Sequence, residues 1–131
     1  MSEKTIKILQ LYPRDMNIYG DSGNTLVLSQ RVKWHGYTPE LLSYNPGDTF
    51  PSDVDILIGG GGQDSGQDKI QEDLLTLRDQ LHTLANSGTP MLVICGLYQL
   101  FGNFFKINDD HTITGIGIFD IETHAGTERL I

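Results

Sequence analysis

The sequence has little cysteine, few cations and no long apolar run. Its 131 residues contain one cysteine, Cys95, which excludes an internal disulfide and indicates a reducing compartment. Nine Lys and Arg stand against 17 Asp and Glu, a formal net charge of −8, and this argues against nucleic acid, whose binding requires cations that displace counterions. No apolar run of about 18 residues occurs, so we expect no membrane insertion. The first residues lack a signal-peptide pattern, and we expect a cytoplasmic protein.

The remaining composition is that of a folded domain. Hydrophobic residues make up 38% and charged residues 20% of the chain, values typical of globular proteins. No internal repeat, low-complexity tract or linker is visible. The length suits one domain or part of one.

Short apolar runs alternate with helical patterns along the chain. The predicted strands are Thr5–Tyr12, Thr38–Tyr44, Val54–Ile58 and Met91–Ile94. A helix is predicted from Ser22 or Asn24 to about His35, with Leu26, Val27, Gln30 and Val32 on its inner face. Apolar residues between Ile70 and Leu84 recur at spacings typical of one amphipathic helix, and the last thirty residues alternate in strand-like fashion. This order predicts an α/β fold with a mostly parallel sheet, helices on both faces and function at the carboxyl ends of the strands.

A glycine run, GGGGQDSGQ, begins at Gly59, directly after the third predicted strand. It contains no dinucleotide-binding G-x-G-x-x-G, and Gln67-Asp68 stands where a phosphate loop has Lys and Ser/Thr. Two interpretations remain. The run is either a flexible turn without a ligand, or a strand end whose backbone N–H groups stabilise an oxyanion.

Cys95 lies in VICGLYQLFG, between a predicted strand and a predicted helix. This strand–turn–helix context is typical of a nucleophile elbow, and a helix N-terminus favours the thiolate. The Gly96 N–H would then be the first oxyanion donor and the glycine run could offer a second. The alternative is an inert core cysteine.

A thiol nucleophile needs a general base, which is usually histidine. The sequence contains four histidines: His35, His82, His111 and His124. Each fits a solvated surface position better than a base, and none has metal-ligand spacing with the cysteine.

Four segments together carry a resemblance to a known family: MNIYGDSGN, ILIGGGGQDSGQ, VICGLYQLFG and GIGIFDIET with the following TERL. They resemble the class I (triad-type) glutamine amidotransferases, in the branch shared with cobyric acid synthase. Within that branch they are most similar to GatD-type glutaminase subunits of lipid II isoglutaminyl synthases. The resemblance covers essentially the whole chain and implies a flavodoxin-like α/β sandwich.

The resemblance also implies a set of site residues. Cys95 would be the nucleophile that forms a glutamyl-thioester. The oxyanion hole would be lined by Gly60, Gly61 and Gly96, and the substrate would contact Gln99 and Arg129. No metal and no cofactor are implied for this chain.

The implied substrate is L-glutamine, and the implied partner is a MurT-like Mur ligase subunit that consumes ATP. Ammonia released at Cys95 would amidate the D-glutamate of lipid II in peptidoglycan synthesis. One alternative is a cobyric acid synthase-like amidotransferase that supplies cobalamin synthesis. A non-catalytic flavodoxin-like binding module and a redox-active thiol protein are the other two.

Two departures from the family pattern matter. Leu97 stands where a second glycine is usual, and its side chain is expected to narrow the glutamine pocket or to shift the helix. The family's catalytic histidine follows the TERL segment, and His124 does not align with it. Residues 1–131 are therefore expected to be the N-terminal portion of a single amidotransferase domain, inactive alone. For Asp21 and Asn24 we predict only helix capping.

Overall fold

The structure is a computed structural model that describes residues 4–17, 21–62 and 64–128. Its elements are β1 (Thr5–Leu11), α1 (Ser22–Trp34), β2 (Thr38–Tyr44), β3 (Ile56–Gly59), α2 (Asp64–Thr76), α3 (Arg78–Asn86), β4 (Met91–Val93), α4 (Gly96–Leu100), β5 (Phe104–Asn108), β6 (His111–Thr114) and β7 (Glu122–His124). The predicted alternation of strands and helices is confirmed.

The first four strands form one parallel sheet in the order β2-β1-β3-β4. Leu11 in β1 lies opposite Gly59 in β3, and Gly59 lies opposite Val93 in β4. The carboxyl ends of these three strands therefore meet at one edge of the sheet. This arrangement confirms the predicted α/β class and agrees with a flavodoxin-like fold.

The core on one face of the sheet is built by α2 and α3. Leu9 and Leu57 of the sheet and Ile70, Leu74 and Leu81 of the two helices are buried in one cluster. Burial of such side chains supplies most of the driving force for folding, on the order of 2 kcal/mol per side chain.

The sequence pattern predicts a single helix here, and the structure has two. Leu77 separates them with φ −90° and ψ −2°. Its N–H donates to Leu74 O at 3.0 Å, and the Leu81 N–H then donates to Leu77 O at 2.9 Å. A single tightened turn thus interrupts the helix without rotating its apolar face away from the sheet, so the spacing of the leucines conceals the break.

The predicted inner face of α1 is wrong for Leu26, Val27 and Gln30, which are exposed, whereas Val32 is half-buried. Leu26 and Val27 are 64% and 55% exposed, whereas Thr25 is buried. The cause is Gln10 of β1, which is buried beneath the helix. Its Oε1 accepts from Thr25 Oγ1 and its Nε2 donates to Ser22 Oγ, both at 3.1 Å. Because buried polar groups must be paired, the helix turns its hydroxyl-bearing side toward the sheet.

A second, three-stranded sheet has the order β6-β5-β7, antiparallel between β5 and β6 and parallel between β5 and β7. The backbone between β6 and β7 hydrogen-bonds to the end of α4 and the residue after it. Ile116 N donates to Leu100 O at 2.8 Å, and Phe119 N donates to Phe101 O at 2.9 Å. These bonds join α4 to the second sheet.

Candidate active site

Cys95 occupies a strained turn at the end of β4. Ile94 N donates to Gly59 O at 3.0 Å, and Cys95 follows with φ 55° and ψ −112° before α4 begins. Residues other than glycine rarely adopt this backbone conformation. It costs about 1–3 kcal/mol, and such strained residues are concentrated at functional sites. Cys95 is exposed. The strand–turn–helix geometry is that of the predicted elbow, and the exposure excludes a buried core cysteine.

The glycine run lies beside this turn and is joined to it. The Leu97 N–H, in the first turn of α4, donates to Gly60 O at 3.3 Å. On the other side of the loop, the Gly61 N–H donates to Asp21 Oδ2 at 3.2 Å. The loop is therefore held between α4 and a carboxylate that is only 6% exposed.

These glycines are needed because side chains pack directly on their backbone. A Cβ on Gly60 would overlap Cγ of Asp21 and lie 2.5 Å from its Oδ2. A Cβ on Gly62 would lie 2.6 Å from Met16 Sδ, and one on Gly96 would lie 2.7 Å from Met16 Cε. Both distances are shorter than an ordinary van der Waals contact. The alternative of a flexible turn does not describe this closely packed loop.

The sequence predicts that Asp21 caps α1, but in the structure its side chain supports the glycine loop and does not cap the helix. It occupies the N-cap position but makes no side-chain capping bond. Its backbone carbonyl accepts from Asn24 N at 3.0 Å, while its carboxylate accepts from Gly61 N. A buried amide in the loop competes successfully with the helix terminus, whose N–H groups can reach water.

Leu97 does not line an open pocket. It is fully buried in the core cluster, and a Cβ added to Gly59 would overlap its Cδ1 and lie 3.4 Å from its Cγ. The expectation that its side chain narrows the glutamine pocket is therefore wrong. A glycine at the end of β3 accommodates the leucine, and the two residues fit together at the base of the elbow.

Gln99 lies one turn beyond Cys95 and is half-buried. Its Oε1 accepts from Gln67 Nε2 at 3.1 Å, and Gln67 is only 2% exposed. Gln67 belongs to the glycine-run segment, and the sequence analysis predicts no role for it. The available signal was its place one turn into the following helix, where side chains tilt toward the helix N-terminus and so toward the loop.

A second set of residues that sequence reasoning missed anchors the chain after β1. Tyr12, at φ 52°, donates from its hydroxyl to Asp73 Oδ2 at 2.7 Å, and Tyr44 donates to Asp73 Oδ1 at 3.2 Å. Burial, with the Asp73 carboxylate, raises the pKa of Tyr12 strongly and that of Tyr44 to about 12. Both phenols therefore stay protonated as donors. Met16 N donates to Tyr12 O at 2.8 Å, which places Met16 beneath the glycine loop.

The four histidines lie in other surroundings than Cys95. His35 is exposed at the end of α1. The other three have ring nitrogens bonded to nearby oxygens: His82 to Ile116 O, His111 to Asp68 and His124 to Glu122. In the described part of the chain no hydrogen bond or ion pair joins a histidine to Cys95.

Three further expectations concern Arg129, metal binding and membrane insertion. Arg129 lies outside the described residues. Among residues 4–17, 21–62 and 64–128, no group of three or more His, Cys, Asp or Glu side chains is arranged to hold a metal ion. Within the same ranges, none of the helices has both the length and the apolar character needed to cross a bilayer.

Known proteins resemble the chain along most of its length. The CobB/CobQ-like glutamine amidotransferase domain matches residues 7–131. Subunit GatD of the glutamine-hydrolysing lipid II isoglutaminyl synthase of Staphylococcus aureus is 34% identical over 117 residues, 88% of this chain and 48% of the relative. The Streptococcus pneumoniae GatD is 32% identical over 115 residues, 86% of this chain and 44% of the relative.

A cobyric acid synthase of Nocardia farcinica is 27% identical over 85 residues, 61% of this chain and 16% of the relative. The chain spans about half the length of the GatD relatives that it matches. Because the family match covers residues 7–131, which include the elbow and the glycine run, the chain belongs to the CobB/CobQ-like glutamine amidotransferase family.

Proposed function

We propose that this protein is the glutamine-hydrolysing subunit of a lipid II isoglutaminyl synthase. It would release ammonia from L-glutamine at Cys95 and pass it to a MurT-like ligase subunit. The GatD relatives, at 32–34% identity over most of the chain, support this assignment. Cytoplasmic localisation belongs to the same proposal.

The observation that carries the proposal is the strained conformation of Cys95 beside the glycine loop. Cys95 has φ 55° and ψ −112° and is exposed at the end of β4. The strain is retained because the backbone on both sides is hydrogen-bonded to the loop, through Ile94 N to Gly59 O and Leu97 N to Gly60 O. A cysteine with only a packing role would not need such a backbone conformation.

The chemistry follows from this geometry. The Cys95 thiolate attacks the carboxamide carbon of glutamine, the carbonyl π electrons move to oxygen, and a tetrahedral oxyanion forms. The oxyanion collapses, the C–N bond breaks, and the nitrogen leaves as ammonia. It takes from solvent a proton equivalent to the one that the Cys95 thiol released on forming the thiolate. Water then attacks the glutamyl-thioester, which releases glutamate and regenerates the thiol.

The backbone around the elbow supplies the candidates for oxyanion stabilisation. Gly96 is the first residue of α4, so its N–H lies outside the intrahelical ladder and is available to a ligand. Gly60 lies next to it across the Leu97–Gly60 bond. Gly61 would contribute only after its N–H leaves Asp21. Gln99 and Arg129 are proposed to contact the bound glutamine, as the family resemblance implies.

The proposed partner is a Mur-type ligase that binds ATP and activates the α-carboxyl of D-glutamate in lipid II. Ammonia from Cys95 would attack the activated carboxyl on that partner, so this chain needs no cofactor. A cobyric acid synthase-like role ranks second, because that relative matches a smaller part of the chain at lower identity.

We also propose that residues 1–131 are the N-terminal portion of one amidotransferase domain. Two facts support this: the relatives are about twice as long, and β4, at the end of the sheet order, leaves Leu92 45% exposed. Because no described histidine is bonded to Cys95, no side chain would assist protonation of the leaving amide nitrogen. We therefore expect Cys95 of the chain alone to react with a glutamine-mimicking reagent, but we expect the chain alone not to hydrolyse glutamine at a catalytic rate.

A glutamine-mimicking diazo ketone tests both the proposed reaction at Cys95 and the proposal that residues 1–131 are only the N-terminal portion of the domain. On the 131-residue chain we expect covalent labelling of Cys95, detected by intact mass and slowed by L-glutamine, together with negligible release of ammonia. Cys95→Ser is the control and should take up no label. A variant of His82, which is bonded away from the elbow, should label as the wild type does.

Several results would overturn these claims. Labelling that L-glutamine does not slow would favour the binding-module interpretation. Rapid oxidation of Cys95 by peroxide without diazo-ketone labelling would favour a redox thiol. Turnover near that of a complete amidotransferase would make one of the four histidines catalytic and refute the proposed domain portion.

A further inference from the structure

The Gln67 side chain lies between α2 and the first turn of α4, behind the elbow. It is 2% exposed. A Cβ placed on Gly96 would lie 2.8 Å from Gln67 Nε2 and 3.3 Å from its Cδ. The carboxamide therefore packs directly on the backbone of the residue that follows Cys95.

Gln67 determines which end of the Gln99 carboxamide is free. Gln67 Nε2 donates to Gln99 Oε1 at 3.1 Å. A carboxamide is planar, with an acceptor oxygen on one side and two N–H donors on the other. Because the oxygen of Gln99 is engaged by Gln67, its NH₂ group is the part left for another partner.

The burial of Gln67 is costly for the fold. In the described part of the chain, its Oε1 is buried and has no hydrogen-bond partner. Buried side-chain acceptors are nearly always paired, and an unpaired one destabilises the folded state. An apolar side chain of similar size would fill the same volume without this cost. A carboxamide at this position therefore points to a role other than stability.

We propose that Gln67 is a positioning residue that acts through Gln99. It holds the Gln99 carboxamide with its NH₂ group toward the elbow, where it donates to an acceptor oxygen of the bound amino acid. This inference rests on the proposed function, because it requires a glutamine-binding pocket beside Cys95. It assigns part of the pocket's selectivity to a residue that would not itself contact the substrate.

The test compares two labelling rates at Cys95 in the full 131-residue chain. One reagent is the glutamine-mimicking diazo ketone, and the other is iodoacetamide, which needs no amino-acid pocket. In Gln67→Met we expect the ratio of the diazo-ketone rate to the iodoacetamide rate to fall at least tenfold. The iodoacetamide rate should stay within about twofold of the wild type, since the thiol itself is unchanged. A merely structural loss would change both rates together.

Gln71→Met is the matched control. Gln71 lies one turn later on α2, and its Nε2 donates to Thr114 O at 3.1 Å. It has the same side chain on the same helix but bonds to β6. Its replacement should leave the ratio of rates within twofold of the wild type.

Two further variants examine the route through Gln99. Gln99→Met should lower the ratio as Gln67→Met does, and combining the two should lower it by less than a further twofold, because both break one interaction. Gln67→Glu keeps the size, and its ionised carboxylate cannot donate to Gln99 Oε1, so at a pH where it is ionised Gln99 must turn its NH₂ group away from the elbow. If circular dichroism shows that Gln67→Met is unfolded, Gln67→Glu decides the question.

The outcomes separate this inference from the proposed function. A wild-type chain that the diazo ketone does not label overturns the proposed function and this inference with it. A wild-type chain that is labelled, with an unchanged ratio in folded Gln67→Met or Gln67→Glu, overturns the inference alone. Multiplicative losses in the double variant would also overturn it, since Gln67 would then act independently of Gln99.

Discussion

The contact between Gly59 and Leu97 is the most sharply testable packing feature of the elbow. Gly59 ends β3, and Leu97 lies two residues after Cys95. Leu97 is fully buried, and a Cβ on Gly59 would overlap its Cδ1. Replacing Gly59 by alanine must therefore displace either the leucine or the strand end. Overpacking of this kind costs about 1–3 kcal/mol of the free energy of unfolding.

A double-mutant cycle isolates this contact. Leu97→Ala alone should lower the free energy of unfolding by about 2–5 kcal/mol, because it leaves a cavity in the core. In the Gly59→Ala/Leu97→Ala double variant, the new methyl group meets no leucine and fills part of that cavity. We therefore expect the double variant to be more stable than the sum of the single effects by about 1 kcal/mol or more. Chemical denaturation, with midpoint and slope fitted together, measures each free energy.

Gly23→Ala is the control for the substitution itself. No heavy atom lies within 4 Å of a Cβ added to Gly23, which is in the first turn of α1. Alanine there should be neutral or stabilising by up to about 1 kcal/mol, because it has the higher helix propensity. If Gly59→Ala behaves like Gly23→Ala, or the cycle is additive within about 0.5 kcal/mol, the described packing of the elbow is refuted.

Two further predictions concern the supports of the site. Asp21→Ala should lower the free energy of unfolding by about 1–3 kcal/mol, because it leaves the buried Gly61 N–H unpaired. Asp21→Asn should lower it by less, because its amide oxygen still accepts from Gly61. Equal denaturation midpoints for the two variants would contradict this. For Tyr44, the pKa is raised from 10.0 to about 12, so the unfolded chain loses this proton first and the free energy of unfolding should fall as pH rises from 10 toward 12. Tyr44→Phe should flatten that fall in pH-dependent denaturation. An unchanged slope would mean that burial, together with the Asp73 contact, does not hold the proton.

The elements of the main sheet could be predicted from the sequence because their signals are local. Short apolar runs bounded by turn residues mark all four parallel strands, and a leucine repeat marks the helix pair beneath them. The position of Cys95 between a strand and a helix was equally readable. Chain connectivity alone places both Cys95 and the glycine run at strand ends, and parallel strands bring such ends to one edge.

The orientation of α1 could not be predicted, because it depends on a residue distant in sequence. Leu26 and Val27 are apolar and were expected to face inward, yet Gln10 is buried in the sheet and bonds to hydroxyl groups of the helix. Hydrogen-bond satisfaction of one side chain decides the rotation of a whole helix. No window of local sequence contains that information.

The amino-acid sequence by itself thus determined the fold class, the nucleophile candidate and the family, since these follow from local periodicity and short motifs. Only the tertiary structure decided how the motifs support one another. It directs Asp21 to the Gly61 amide, buries Leu97 against Gly59, and pairs Gln67 with Gln99. These are contacts between segments far apart in the chain, and the physical requirements that select them, close packing and pairing of buried polar groups, act only once the chain has folded.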